Sequence, residues 1–304
     1  MAFEIVTLAP SIYHLQSGAN MGVLADSDGR ALLIDTGLDE DAGRRIKNAL
    51  AKLNLTLAAV ILTHGHSDHF GGTDYLRRNL APFPVYAPPI EAAFITYSSL
   101  ESIMLSAGAL PFDQLVGKFT KAPACKVDHE VALGEVRLAG FGVEIIPLAG
   151  HSPNMIGVRA GNVLFCADAL LPLATLQKYP IPFTVHIGKA LAVLDRLLEC
   201  VDQGVILAPG HGVHLAAGEA KVVIAANRET LLRIVTAVEN RLRESPADEG
   251  TLTQTVCQKL GDPLASAVGY SLARTTIQAA LVYLYESGRV RVITGGKCLW
   301  ASAS

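Results

Sequence analysis

Residues 57–69 contain an apolar run, Leu57-Ala58-Ala59-Val60-Ile61-Leu62, followed after Thr63 by His64-Gly65-His66-Ser67-Asp68-His69. The run predicts a buried strand, because it is short, continuous and bounded by polar residues. The next six positions hold three imidazoles and a carboxylate, a density that neither a solvated loop nor a core segment requires. Histidine and aspartate together suit a divalent cation such as zinc, with iron or manganese as alternatives. Since loops at buried strand ends carry much of the chemistry of α/β proteins, we predict a metal site here.

The spacing of these four groups leaves room for two ions. His64 and His66 are two residues apart, so in an extended chain their side chains point the same way. Asp68 and His69 are adjacent, and in such a chain they would diverge. One short loop could therefore serve two ions, with the first pair on one and the second pair on the other. Whether it does so depends on ligands elsewhere in the chain.

Three further candidate ligands stand singly, each after an apolar run and in a turn. His151 lies in Ala149-Gly150-His151-Ser152-Pro153, Asp168 follows Val163-Leu164-Phe165-Cys166-Ala167, and His211 lies in Pro209-Gly210-His211-Gly212. Any one of them alone is more often a capping or hydrogen-bonding residue than a ligand. Four strand ends that each offer ligands favour one shared metal site.

The order of these motifs resembles that of the metallo-β-lactamase superfamily, over about residues 10 to 215. The likeness consists of His-x-His-x-Asp-His, then Gly-His-Ser, then a strand-end aspartate, then Pro-Gly-His-Gly. It implies an α/β fold, the αββα sandwich, with a dinuclear site between two sheets. It also implies that Asp168 bridges two ions, the first held by His64, His66 and His151 and the second by Asp68, His69 and His211.

The resemblance also implies the cofactor and the chemistry, with two Zn²⁺ per chain expected and iron or manganese as alternatives. Two divalent ions about 3.5–4 Å apart can hold a hydroxide and lower the pKa of bound water to near 7. Asp68 would be the catalytic residue that orients this nucleophile, and no serine or cysteine nucleophile is needed. Asp35 would support the loop of residues 64–69, here called the metal loop, without binding an ion itself. A role as a turn residue at the end of a strand accounts for Asp35 equally well.

The composition bounds the class of protein and its partners. Of the 304 residues, 50% are hydrophobic and 17% charged, which is compatible with an apolar surface or a homo-oligomer interface. We expect no membrane partner, because no apolar run approaches the roughly 18 residues of a membrane helix. The start of the chain lacks a secretory pattern, and five scattered cysteines favour a reducing compartment, so we expect a cytoplasmic protein. A net charge of −3 gives no attraction to nucleic acid.

Residues 88–127 lie outside the metal motifs and predict an insertion that caps the active site and sets specificity. The stretch from Glu91 to Leu110 has a helical pattern and little charge, which favours an apolar or neutral substrate. Tyr179 and His186 flank a proline-containing segment after the Asp168 turn, where loops often line the substrate cleft. We therefore expect one of these two side chains to contact the small-molecule substrate.

The last 60 residues predict a separate unit. A long helix is expected from Ala217 to Glu244 and ends at Ser245-Pro246. Two shorter helices follow, and then a hairpin around Gly295-Gly296. This order resembles a winged-helix domain, so we divide the chain into a catalytic domain, 1–244, and a winged-helix-like domain, 245–304. A packing or dimerisation module is the alternative to a nucleic-acid-binding one.

The closest overall resemblance is to β-lactamase-like or glyoxalase-II-like hydrolases that carry a C-terminal winged helix. The leading hypothesis is a dinuclear hydrolase of a small ester, thioester or lactone. A metal-dependent ribonuclease or phosphodiesterase is supported only by the C-terminal unit, whose five Lys/Arg and four Asp/Glu leave a net charge of +1. A mononuclear iron dioxygenase of persulfides and a non-catalytic ligand sensor are further alternatives. Asp168 counts against a true β-lactamase, which usually carries cysteine or serine there.

Overall fold

Two β-sheets lie face to face in the computed structural model of this protein, which describes residues 3–303. Helices cover the outer side of each sheet, so that the layers follow the αββα order expected from the resemblance. Among residues 3–303 no helix combines the length and the apolar character that crossing a membrane requires.

The first sheet has seven strands in the order of the chain. The first four form an antiparallel meander, and the remaining three join it in parallel. The strands are β1 (Glu4–Ala9), β2 (Ile12–Gln16), β3 (Met21–Ala25), β4 (Arg30–Ile34), β5 (Thr56–Ile61), β6 (Val85–Ala87) and β7 (His129–Glu130).

The second sheet has five strands in the order β12-β11-β10-β9-β8. All neighbours are antiparallel except β11 and β12, which are parallel. The strands are β8 (Gly134–Leu138), β9 (Phe141–Pro147), β10 (Ile156–Ala160), β11 (Val163–Ala167) and β12 (Ile206–Pro209).

Ten helices connect and cover the sheets within the described residues, and a short hairpin follows them. The helices are α1 (Glu40–Lys52), α2 (Ser67–Phe70), α3 (Thr73–Asn79), α4 (Pro89–Thr96), α5 (Leu100–Leu105), α6 (Leu173–Lys178), α7 (Ile187–Asp202), α8 (Ala217–Glu244), α9 (Glu249–Leu260) and α10 (Ala267–Glu286). The hairpin pairs β13 (Val290–Ile293) with β14 (Leu299–Ser302).

The layering follows from strands that are apolar on both faces. In β4, Leu32 and Ile34 are buried between the two sheets, whereas Ala31 and Leu33 belong to the cluster that includes Ile46 of α1. Side chains alternate along a strand, so a continuous apolar run supplies both cores at once. β11 does the same for the second sheet and the helices outside it.

The C-terminal elements agree with those predicted, because three helices are followed by a hairpin and α8 has the expected bounds. Their apolar side chains do not form a core of their own. Leu252 of α9 and Leu281 of α10 are fully buried in the same cluster as Leu207 of β12. The second sheet of the sandwich and the C-terminal helices therefore share one continuous core.

The insertion differs in detail from its prediction. Two short helices, α4 and α5, replace the single helix expected from Glu91 to Leu110. Between them the chain turns at Tyr97, which has left the helical conformation with φ −116° and ψ 67°. The insertion reaches the C-terminal unit, because the Arg274 guanidinium donates a hydrogen bond to the carbonyl of Leu105 (3.1 Å).

The shared core predicts that a cavity in α10 destabilises the whole chain. Leu281→Ala removes a fully buried side chain and should lower the free energy of unfolding by about 2–5 kcal/mol. Val222→Ala, at an exposed position of α8, is the matched control and should change it little. Denaturant unfolding followed by circular dichroism measures both. Independent melting of the C-terminal unit, with the sandwich unaffected, would contradict the shared core.

Candidate metal centre

Four loops, each following the end of a strand, bring the seven predicted ligands together. His64 to His69 follow β5 of the first sheet, whereas His151, Asp168 and His211 follow β9, β11 and β12 of the second sheet. The seven side chains come together at the ends of the strands that these loops follow, where the two sheets face each other. The strand-end placement expected from the sequence is therefore confirmed for all four loops.

The metal loop is compact because glycines allow other chain segments to come close. A Cβ at Gly65 would lie 2.5 Å from the Cβ of Phe94, and one at Gly71 would collide with the backbone of Leu38. After His66 the backbone turns into the single helical turn α2 rather than continuing extended. The expectation that Asp68 and His69 diverge assumed an extended chain. In the helical turn the nearest oxygen of Asp68 lies 4.0 Å from Nε2 of His69.

The ligand atoms form three overlapping groups, each with one atom per residue within 4.8 Å of the others. His64, His66 and His151 form the first triad, and Asp68, His69 and His211 form the second triad. The third group, His64, His69 and Asp168, joins the two triads. Nδ1 of His66 lies 3.0 Å from Nε2 of His151, and Oδ2 of Asp68 lies 3.4 Å from Nε2 of His211. Ligand atoms around a tetrahedral zinc with bonds of about 2.0–2.1 Å are separated by about 3.3 Å.

Asp168 lies between the two triads. Its Oδ2 is 3.5 Å from Nε2 of His151 and 3.4 Å from Nε2 of His211, and its Oδ1 is 3.4 Å from Nε2 of His69. Oδ1 has no hydrogen-bond partner among the described residues, although it is buried. A carboxylate in this position can reach an ion in either triad.

The residues present fit a divalent cation. Nε2 of His64 and Nε2 of His69 are buried and make no hydrogen bond within the described part of the chain, as is also the case for Oδ1 of Asp168. A buried polar atom without a partner costs about 1–3 kcal/mol. Three such atoms that point into one cluster of imidazoles and carboxylates would be satisfied by a cation bound among them.

The opposite ring nitrogens are held by the protein. Nδ1 of His151 and Nδ1 of His211 donate to the carbonyl oxygens of Phe183 (3.1 Å) and Gly18 (2.5 Å). Nδ1 of His69 lies 2.8 Å from a carboxylate oxygen of Asp35. Such contacts fix the orientation and the tautomer of a metal-binding imidazole.

The tautomer of His64 follows from a short chain of hydrogen bonds. The hydroxyl of Thr63 donates to Oδ2 of Asp35 (2.7 Å), so it can only accept from Nδ1 of His64, which is 3.1 Å away. The proton of His64 is therefore on Nδ1, and the lone pair of Nε2 points into the site.

The charges of the two triads differ. Burial lowers the pKa of His66 and His151 to about 4 and the pKa of His64 far below its usual value, so these imidazoles are neutral at pH 7. The charge of Asp168 raises the pKa of His211 to about 11. Burial lowers the pKa of His69, but the carboxylates around it outweigh burial and hold it well above its usual value.

The carboxylates remain ionised for the converse reason. Burial alone would raise the pKa of Asp68, but His69 and His211 lower it to about 2. The pKa of Asp168 is held well below its usual range by His211 and His69, against the effect of burial. A cation that binds at this triad replaces the protons of the two histidines.

Glu91, at the start of α4, is a positioning residue that the sequence analysis missed. It is 1% exposed, and Oε2 accepts a hydrogen bond from the backbone of Gly65 (2.9 Å). Oε1 accepts from the hydroxyl of Ser152 and from the backbone of Asn154, both at 2.7 Å. One carboxylate thus links the loop of His64 and His66 to the turn of His151. The residues next to Glu91 in the sequence do not indicate that its side chain makes these contacts.

Tyr179 and His186 have local roles in the structure, and their expected contact with substrate stays a prediction. His186 caps α7, since its Nδ1 accepts from the backbone of Lys189 (3.2 Å). The ring of Tyr179 is half exposed at the end of α6, with the Lys178 ammonium 5.0 Å from its centroid.

Known proteins share both the sequence pattern and the fold. Residues 16–224 match the family model of the metallo-beta-lactamase superfamily. A hydroxyacylglutathione hydrolase of Haemophilus influenzae, GloC, is 26% identical over 205 residues, which cover 66% of this chain and 89% of the relative.

Two solved structures match nearly the whole chain. A beta-lactamase domain protein from Burkholderia ambifaria has a TM-score of 0.74 at 18% identity and covers 98% of this chain and 93% of its own. A metallo-beta-lactamase family protein from Thermus thermophilus has a TM-score of 0.69 at 19% identity, covering 97% and 100%. Identities this low establish the fold alone.

The family match, the sandwich and the clustered histidines and aspartates lead to one assignment. This chain belongs to the metallo-β-lactamase superfamily and is a hydrolase of that superfamily.

Proposed function

We propose that the protein is a dinuclear metal-dependent hydrolase of a small ester, thioester or lactone. The observation that carries this proposal is the pair of triads with Asp168 between them. In the proposed assignment His64, His66 and His151 hold a first ion, and Asp68, His69 and His211 hold a second. Asp168 bridges the two ions. Zinc is the proposed metal, because zinc is commonly bound by imidazole and carboxylate ligands such as these.

Two bound divalent ions supply a hydroxide nucleophile at neutral pH and stabilise negative charge that develops on the substrate. The side chains of the protein orient the reacting groups. Asp68 presents Oδ2 to Nε2 of His211 at 3.4 Å, so its carboxylate has a defined orientation within the second triad. We propose that Asp68 orients the nucleophile and accepts its proton.

A thioester is the first substrate to test. The relative from Haemophilus influenzae is named a hydroxyacylglutathione hydrolase, and such a substrate is a thioester. The metal loop of this chain is also approached by the insertion, through Glu91 and Phe94 of α4. We propose that the insertion caps the site and selects the acyl group.

We also propose that residues 245–304 are a winged-helix-like unit whose main role is packing against the sandwich. The order of α9, α10 and the hairpin supports the likeness, and the burial of Leu252 and Leu281 in the shared core supports the packing role.

We propose that the protein is located in a reducing compartment, the cytoplasm. This location is supported by five free cysteines, four of them buried.

Replacing Asp168 tests the bridge. Asp168→Ala should lower the metal content from two ions per chain toward one, because the site loses a carboxylate that lies against both triads and supplies negative charge to each. Mass spectrometry of protein purified without chelators or a histidine tag measures the content. Asp113→Ala, at an exposed position, is the control. Two ions in Asp168→Ala would contradict the bridging role. One iron per chain in the wild type would contradict the dinuclear hydrolase.

Replacing His211 tests the division into two triads. His211→Ala should weaken binding at the second triad more than at the first, because its Nε2 faces Asp68 and Asp168 rather than His64. Zinc titration against a chromophoric chelator resolves the two affinities. His129→Ala, which removes an exposed imidazole, is the control and should match the wild type. Equal loss at both triads would show that the division is wrong.

Replacing Glu91 tests whether it holds the first triad together. Glu91→Gln keeps the size of the side chain but replaces one of the two acceptor oxygens with an N–H₂ donor, so at least one of the three hydrogen bonds is lost. We expect the affinity for the first ion to fall about 10–100-fold, as is typical when a ligand loses its support. Glu130→Gln, on an exposed strand position, is the control. Wild-type affinity in Glu91→Gln would contradict this positioning role.

A further inference from the structure

Residues 182–186 form hydrogen bonds with the turn that contains His151. The carbonyl of Phe183 accepts the hydrogen bond from Nδ1 of His151 (3.1 Å), and the ring of Phe183 lies 5.7 Å from the imidazole. The backbone N–H groups of Val185 and His186 donate to the carbonyl of Gly150, at 2.9 and 3.1 Å. The position of residues 182–186 therefore sets the orientation of His151.

This segment is fixed from its other side by the C-terminal unit. The hydroxyl of Thr276, in α10, accepts from the backbone N–H of Thr184 (3.0 Å). Its single proton lies nearer to the carbonyl of Pro182 (3.0 Å) than to that of Leu272 in the same helix (3.3 Å), so it donates to Pro182. Thr276 is fully buried, so water cannot replace either bond. One hydroxyl thus satisfies the backbone groups on both sides of Phe183. These bonds join residues 92 and 94 positions apart in the chain.

We propose that Thr276 is a positioning residue of the metal centre. Its hydroxyl holds Pro182 and Thr184, so that the carbonyl between them orients His151 toward the first ion. The C-terminal unit then contributes to metal binding without supplying a ligand. The inference rests on the proposed function, because it takes His151 to be a ligand of the first ion.

The neighbouring residue offers a matched control. Thr275 has the same side chain on the same helix, but its hydroxyl donates to the carbonyl of Ser271 (3.0 Å), within α10 itself. Loss of that bond leaves the segment around Phe183 untouched. A difference between valine variants at 275 and 276 therefore reports on the contact with the segment.

The test is metal affinity in four variants of the full chain. Thr276→Val keeps the shape but leaves Thr184 N–H without its acceptor and Pro182 C=O with only the longer contact to the hydroxyl of Thr184 (3.5 Å). We expect about 10–100-fold weaker binding of the first ion. Binding of the second ion should not change. Thr276→Ser keeps the hydroxyl and should restore wild-type affinity, and Thr275→Val should match the wild type. His151→Ala should lose the first ion.

The measurement is titration of the chelator-stripped protein with zinc against a chromophoric chelator, with circular dichroism as the check on folding. If Thr276→Val does not fold, Thr276→Cys retains similar volume with a weak donor and should show the same selective loss. Wild-type affinity in a folded Thr276→Val or Thr276→Cys, together with loss in His151→Ala, would overturn the positioning role alone. Wild-type affinity in His151→Ala would instead overturn the proposed assignment of His151.

Discussion

The carboxylate of Asp35 is the contact on which the metal loop depends. It accepts from the backbone and the hydroxyl of Thr63, both at 2.7 Å, and lies 2.8 Å from Nδ1 of His69. One side chain therefore ties the end of β4 to both ends of the loop. Asp35 has a φ of 61°, a left-handed conformation that costs a residue other than glycine about 1–2 kcal/mol. Three buried polar contacts offset that cost, because a buried carboxylate requires partners.

The remaining ligands are supported in the same way, each from a different part of the fold. Glu91 reaches the first triad from the insertion, and the carbonyl of Phe183 reaches it from the loop before α7. The loop of His211 is held by Asn20, whose amide donates to the carbonyls of Pro209 (3.0 Å) and Gly212 (2.7 Å). Because the supports come from the first sheet, the insertion and the outer helices, the geometry of the site depends on the packing of all layers.

Local sequence signals predicted what depends on neighbouring residues. The apolar run before His64 predicts a strand, and Ser245-Pro246 predicts the end of the long helix, which the structure shows from Ala217 to Glu244. Signals failed where a distant contact decided the outcome. Glu91 lies 26 residues from Gly65 and 61 from Ser152, so no spacing rule identifies it. The burial of the C-terminal helices in the core of the second sheet was equally absent from the local pattern.

The order of amino acids alone decided the kind of chemistry, because seven imidazole and carboxylate groups at strand ends have few uses other than holding a cation. Strands that are apolar on both faces also require cover on both sides, and the resemblance of the motifs to the superfamily implied a second sheet on one side and helices on the other. Only the tertiary structure decided which ring nitrogen of His69, His151 and His211 is held by the protein and which faces the site. That choice depends on hydrogen bonds that Asp35, Phe183 and Gly18 accept, and folding brings these residues to the ligands from distant parts of the chain.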